Sequence, residues 1–204
     1  MKKKNIIEIA KNYVNMLLSP LEHLYYHQYD HALDVMQRAI DLWKKEWVSK
    51  QDLEILALAS LFHDTGFVIQ YDNNEYIWAK IARNFLKWLL YPEDKIKIIE
   101  KLILATDPNY KNPKNILEKI IKDADIDNLW REDFFEKLNN ISDELESIKN
   151  IKTKDPNWIH WTIKFLESLK FETDTQQKER WEQKEKNLNI LKQMLKELEE
   201  KETI

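Results

Sequence analysis

The sequence predicts an all-α fold, and three observations carry that expectation. The 204 residues contain a single glycine, Gly66, which leaves little material for hairpin turns. Apolar residues recur at intervals of three and four along most of the chain, the helical period, rather than at two. A composition of 43% hydrophobic and 33% charged residues can both fill a core and solvate a surface. The length suits one domain, here expected to span 1–204 with a core at about 20–135 and C-terminal helices over about 136–204.

Taken in order, a first helix covers Ile6–Leu18 and stops before Pro20. Asp30 is positioned to cap a second, running to about Trp47 with Ala32, Val35, Met36, Ile40 and Trp43 on one side. Ser49 and Asp52 resemble a capping pair opening a third helix, which ends at His63-Asp64. Asn73 or Asn74 opens a fourth, through Ile77, Ile81, Phe85 and Leu89. Pro92 suits the first turn of a fifth. Pro108 and Pro113 bound a polar loop, and a sixth helix leads into the KDADIDNLW segment. Two more follow at roughly 132–150 and 156–170. The charged tail from Gln176 to about Lys201 carries Trp181, Leu188, Leu191, Leu195 and Leu198 near heptad spacing. It reads as a terminal helix packed on the body, or as the seam of a homodimer.

Several functions lack their parts. A net charge of -4 and pI near 5.8 give no general attraction to DNA or RNA. The absence of cysteine excludes disulfides, thiolate metal sites and a cysteine nucleophile, and fits a reducing cytoplasm. The N-terminus starts basic and turns apolar, but Glu8, Lys11 and Asn12 interrupt it and no small-residue cleavage site follows, so an amphipathic helix is expected there. No run approaches the ~18–20 apolar residues of a membrane span. One glycine cannot build a G-x-G-x-x-G or P-loop cradle, and neither G-x-S-x-G nor H-E-x-x-H occurs.

Chemistry concentrates in a few His and Asp residues. Among five histidines, His27 and His31 are four apart and would share a helix face, while His63 and Asp64 are adjacent. Neighbours on a helix diverge by ~100°, so the pair can converge only near a helix end. Gly66, two residues on, tolerates the left-handed conformation that ends a helix and could turn the chain away; a plain C-cap is the other reading. Asp123-Ala124-Asp125-Ile126-Asp127 sets acids beside Ile120 and Ile121, costly to bury unless a cation balances them. A solvated acidic helix face is the alternative for that segment, as a satisfied core histidine is for His31.

Together these pieces resemble the HD superfamily of metal-dependent phosphohydrolases. YYHQYDHALDV (Tyr25–Val35) is similar to its first histidine motif, in particular to the Y-H-N-x-x-H of cyclic-nucleotide phosphodiesterases. LASLFHDTGF (Leu58–Phe67) resembles the HD helix, and DNNEYIWAKIA (Asp72–Ala82) the acidic segment after it. LILAT and KDADIDNLWREDF (Lys122–Phe134) look like later helices of small bacterial members. The resemblance implies an HD-type helical bundle with a C-terminal extension. It implies that His31, His63, Asp64 and Asp125 bind a divalent metal, with Asp123 the second choice to Asp125, and that His27 matches a proton-donating histidine.

Asn74 stands where the subgroup has a histidine before glutamate, LILATDPNY has none after Thr106, and Trp130 replaces a frequent glycine. One metal rather than two is therefore expected. Two imidazoles and two carboxylates suit Mn, Fe, Co, Ni or Zn better than Mg. Such an ion activates water and polarises a phosphoryl oxygen. Asp64 or Asp125 would orient or deprotonate that water, and His27 would protonate the leaving oxygen. Lys80, Arg83 and Arg131 could hold phosphate or be ordinary solvated cations. The expected activity is hydrolysis of a phosphoester in a small substrate, a nucleotide or cyclic nucleotide. A nucleotide-sensing module without turnover is the alternative, and a helical scaffold assembling through its tail is a third.

Overall fold

The computed structural model of the chain describes residues 6–72, 74–153 and 155–202. The helices among them are α1 (Ile6–Leu18), α2 (Tyr29–Lys45), α3 (Lys50–Phe62), α4 (Glu75–Trp88), α5 (Glu93–Leu104), α6 (Ile116–Asp125), α7 (Phe134–Lys149), α8 (Pro156–Ser168) and α9 (Asp174–Glu202). Short 3-10 turns lie at Thr65–Val68 and Asp127–Trp130, and no strand occurs among the described residues. None of these helices is long and apolar enough to cross a membrane. The chain forms two compact units: the described residues up to Glu22 with His27–Asp125, and His23–Tyr26 with the residues from Ile126 onward.

The first unit is organised by α3. Every residue from Ile55 to Phe62 is buried, so this helix is apolar all round and runs through the interior. It packs against α1, α2, α5 and α6. The other helices are amphipathic; α2 turns Ala32, Val35, Met36, Ala39 and Leu42 inward, while Ile40 and Trp43 are only half-buried. The end of α3 therefore delivers His63 and Asp64 into the protein rather than onto its surface.

Helix boundaries depart from the capping expectations in instructive ways. Gln28, not Asp30, occupies the N-cap of α2, and Asp30 lies inside its first turn. Ser49 is the N-cap of α3, but its hydroxyl donates to Asp52 (2.8 Å) instead of capping a backbone N–H. Asn74 is the N-cap of α4; Asn73 lies outside the described residues.

The left-handed position expected of Gly66 occurs elsewhere. Gly66 has no positive φ, whereas Trp47 (φ 56°), Leu90 (φ 55°) and Asn150 (φ 53°) do. Leu90 closes α4 with paired bonds, Leu90 N–H to Lys87 O (3.0 Å) and Tyr91 N–H to Leu86 O (3.0 Å), the Schellman pattern. At the end of α2, Val48 N–H reaches Trp43 O (3.4 Å) behind Trp47 in the same way. That position aims its side chain outward, which is why Trp47 and Leu90 are 94% and 91% exposed.

The second unit packs α8, α9 and the Asp127–Trp130 turn around Trp130, Phe134, Ile159, Ile163, Leu166, Leu188 and Leu191. A polar row on α9 grips the turn. Arg180 donates to Asp127 through Nε (2.7 Å) and Nη2 (2.9 Å), Gln176 adds a third bond (2.9 Å), and Asn187 donates to the carbonyls of Leu129 and Arg131 (3.1 Å each). Between them Lys184 lies over the Trp130 ring at 4.6 Å. Glu144 of α7, fully buried, accepts the Tyr26 N–H (2.8 Å) and so holds His23–Tyr26 in this unit.

A left-handed L-residue costs about 1–2 kcal/mol, and glycine gives back about 0.5–1 through its freer unfolded chain. Trp47→Gly and Leu90→Gly, which lose almost no packing, are therefore each expected to stabilise the protein by about 0.5–1 kcal/mol in urea unfolding. Arg180→Ala removes both guanidinium bonds from the buried Asp127 carboxylate and is expected to cost about 2–3 kcal/mol in the same assay.

Candidate metal centre

Three helices of the first unit bring the polar residues together. His31 is the third residue of α2, His63 follows the last residue of α3 as its C-cap, Asp64 comes next, and Asp125 is the last residue of α6. Helix ends solve the divergence of adjacent side chains: His63 keeps a helical backbone (φ -58°, ψ -27°), and Asp64 (φ -113°, ψ 6°) leaves it. The two side chains can then face one point.

The geometry is tight. His31 Nε2 and His63 Nε2 are 3.3 Å apart. Asp125 Oδ1 lies 3.1 Å from His63 Nε2 and 3.5 Å from His31 Nε2. Asp64 Oδ2 lies 3.1 Å and 3.2 Å from the same two nitrogens. His31, His63 and Asp125 form a group whose ligand atoms all fall within 4.8 Å of one another. The side chains are 7% (His31), 0% (His63), 6% (Asp64) and 23% (Asp125) exposed, so the centre opens to solvent on the Asp125 side.

The protonation pattern leaves lone pairs facing each other. His63 Nδ1 is 2.7 Å from the Ser60 carbonyl, which can only accept, so Nδ1 carries the hydrogen and Nε2 is left bare in the neutral ring. Asp64 Oδ2 is buried with no hydrogen-bond donor aligned on it among the described residues. Burial works against a charged His63, but Asp64 and Asp125 together outweigh it and hold the imidazole well above its ordinary value. His31 is raised as well, with Asp125 and Asp64 overcoming its burial. Burial pushes the two carboxyls up, yet the imidazoles prevail, His63 foremost, taking Asp64 well below its usual range and Asp125 to about 2. The potential at this point selects for positive charge.

A divalent ion fits that demand. Donors held at about 2.1 Å from one ion lie about 3.0 Å apart as octahedral neighbours and about 3.4 Å apart as tetrahedral ones. The observed separations of 3.1–3.5 Å fall around those edges.

The remaining candidates fall in different places. His27 precedes α2 instead of sharing its face with His31; its ring stacks on Phe67 (4.1 Å between centroids) and meets His31 edge-on (6.1 Å). Asp123 is fully buried and, like Asp64, outside the group formed by His31, His63 and Asp125, but it is Asp64 that lies against the two imidazoles. Asn74 is buried with its amide donating to the carbonyls of Gln70 (2.9 Å) and Tyr71 (3.0 Å). Lys80 and Arg83 line a separate cleft of about 400 Å³ with Tyr76, Lys97 and Lys101, and Arg83 pairs with Glu93 and Glu100. Arg131 belongs to the second unit, where it pairs with Asp133 and holds that carboxyl below its usual range.

Sequence reasoning missed Ser60, whose carbonyl fixes His63, and Trp78, which packs on Gly66. The i-3 spacing of Ser60 was a usable signal for a residue closing a helix. Nothing local pointed to Trp78.

These features define a helical protein with a His31, His63 and Asp125 group of metal-site type in its interior and Asp64 beside the two imidazoles. Residues 29–127 match the family model of the HD domain, and that part of the chain is an HD domain, a class whose members are typically metal-dependent phosphohydrolases. It is structurally similar to YpgQ of Bacillus subtilis, crystallised in complex with ADP, at a TM-score of 0.67 and 17% identity over 94% of each chain. It is also similar to the Lin1889 protein of Listeria innocua, at a TM-score of 0.61 and 21% identity over 100% of this chain and 99% of that one. At those identities the likeness is one of fold. No curated protein matches the sequence.

Titration with Mn, Co or Zn is expected to raise the melting temperature, and a chelator to reverse it. At 100 times Kd the gain corresponds to about 2.7 kcal/mol. His63→Ala is expected to abolish the shift.

Proposed function

We propose that this protein is a metal-dependent phosphohydrolase that cleaves a phosphoester of a nucleotide or cyclic nucleotide. The observation that carries the reading is the convergence of His31, His63 and Asp125, whose donor atoms lie 3.1–3.5 Å apart, with Asp64 Oδ2 at 3.1 and 3.2 Å from the two imidazoles, in an interior otherwise lined by apolar helices. The HD domain match over residues 29–127 supports it, and the ADP in the YpgQ structure supports a nucleotide as the ligand class.

In this reading His31, His63, Asp64 and Asp125 hold one divalent ion. When bound, that ion supplies a lowered pKa for water and an electrophile for a phosphoryl oxygen. The protein's own groups do the rest. Ser60 holds the His63 ring by its Nδ1–H and keeps Nε2 turned to the centre. The partly open Asp125 side admits water and phosphate, and a carboxylate oxygen of Asp64 or Asp125 orients the water and takes its proton. His27, held against Phe67 one ring away from His31, gives a proton to the departing oxygen. That role matters most for a diester, whose alkoxide leaves poorly without an acid. Lys80, Arg83 and Arg131 are weaker phosphate candidates, since Arg83 and Arg131 already engage carboxylates.

One observation favours a second reading, a nucleotide-sensing module without turnover. Asn74 gives its amide to the backbone of its own loop, so that position brings no extra ligand for a second ion.

Product release from cyclic nucleotides, nucleoside mono-, di- and triphosphates and a chromogenic diester, each with Mn, Co, Ni, Zn and Mg, separates the two. Turnover lost in a folded His63→Ala variant is the expected result. His27→Ala is expected to slow diester cleavage by about 10²–10⁴-fold. Tight nucleotide binding with no product under any metal would favour the sensor.

A further inference from the structure

We infer that Trp78 is a positioning residue for the His63-Asp64 pair, an inference that rests on the metal-centre reading above. The chain after α3 is not turned by a special backbone conformation, since Gly66 has no positive φ. It is held from outside. The indole of Trp78, on α4, lies directly on Gly66: a Cβ there would meet Trp78 Cδ1 at 2.0 Å and Nε1 at 2.4 Å, with the Asn74 carbonyl at 2.7 Å. Gly66 is thus the hole into which the indole fits. From that seat the ring meets the His63 imidazole at 6.3 Å between centroids and 68°, and Phe67 at 5.9 Å. Gly66 O accepts from Ile69 N–H (2.9 Å) and Gln70 N–H (3.2 Å), so the turn against which Trp78 presses is itself braced.

Trp78 is 6% exposed, and its Nε1 has no hydrogen-bond partner among the described residues. Leaving a buried N–H unpaired is costly. A shorter apolar ring would avoid that cost but would not fill the space over Gly66. The indole's reach is therefore what the site uses: it fixes the turn that carries His63 and Asp64 and sets the direction of their side chains.

The test uses full-length wild type, Trp78→Phe, Trp78→Ala and Gly66→Ala, with Trp161→Phe, an exposed ring on α8, as control. Each is titrated with Co(II), read by affinity and by visible absorption, whose position and intensity report ligand geometry, alongside the metal-free melting temperature. Expected are a Co(II) affinity lower by about 10- to 100-fold and an altered band in Trp78→Phe and Gly66→Ala, with the control unchanged. Variants that melt earlier yet bind Co(II) with wild-type affinity and spectrum would reduce Trp78 to a core residue and overturn the inference while leaving the metal centre standing. A wild type that binds no Co(II) would overturn the metal reading and this one with it. Should Trp78→Ala fail to fold, Trp78→Phe decides.

Discussion

Two imidazoles and two carboxylates meet inside an apolar helical unit, and much of the first unit can be understood from what that meeting demands. Burying one ionised carboxylate without a partner costs several kcal/mol. Here Asp64 is almost fully buried and Asp125 partly so, and the rings of His31 and His63 answer them at 3.1–3.5 Å. A proton on an imidazole offsets part of the charge. A divalent ion would offset more, because it can face several donors at once. The cluster is thus poor as a stability device and suited to receive a cation.

Helix ends are the means by which such a cluster is assembled. A helix interior spreads successive side chains around its axis, so a compact donor set needs residues where the backbone leaves or enters the helix. His63 and Asp64 stand just past α3, Asp125 at the last residue of α6, and His31 in the first turn of α2. The burial of α3 on every side explains why its exit, and not that of a surface helix, carries the central pair. Second-layer contacts then set direction: Ser60 fixes the His63 ring through the carbonyl three residues earlier.

The helices were legible in the sequence because periodicity is a local rule. The resemblance to the HD superfamily, not spacing alone, pointed to His31, His63 and Asp125, which the fold brings within 4.8 Å of one another. What was not legible depended on distant partners. His27 and His31 share a helical interval, but α2 begins at Tyr29, so His27 faces Phe67 from the preceding segment. Arg83 looks like a phosphate ligand until Glu93 and Glu100 fold back onto it. In the tail the leucine spacing caught the eye, whereas the row Gln176, Arg180, Lys184, Asn187, which follows the same helical interval, is what grips the Asp127–Trp130 turn.

Gly66 shows how magnitude decides where a rare residue is kept. Among the described residues three helix ends adopt the left-handed conformation that glycine suits, and they do so with Trp47, Leu90 and Asn150. Each such position costs about 1–2 kcal/mol at most, and a stable helical core absorbs that. At position 66 the backbone conformation is ordinary, and the obstacle is another atom at 2.0 Å. No dihedral adjustment relieves a collision of that size; either the indole of Trp78 or the turn holding His63 and Asp64 would have to move. The described residues tolerate a conformational cost at three helix ends, and a side chain is left out where it would collide with the indole packed on the turn after His63 and Asp64.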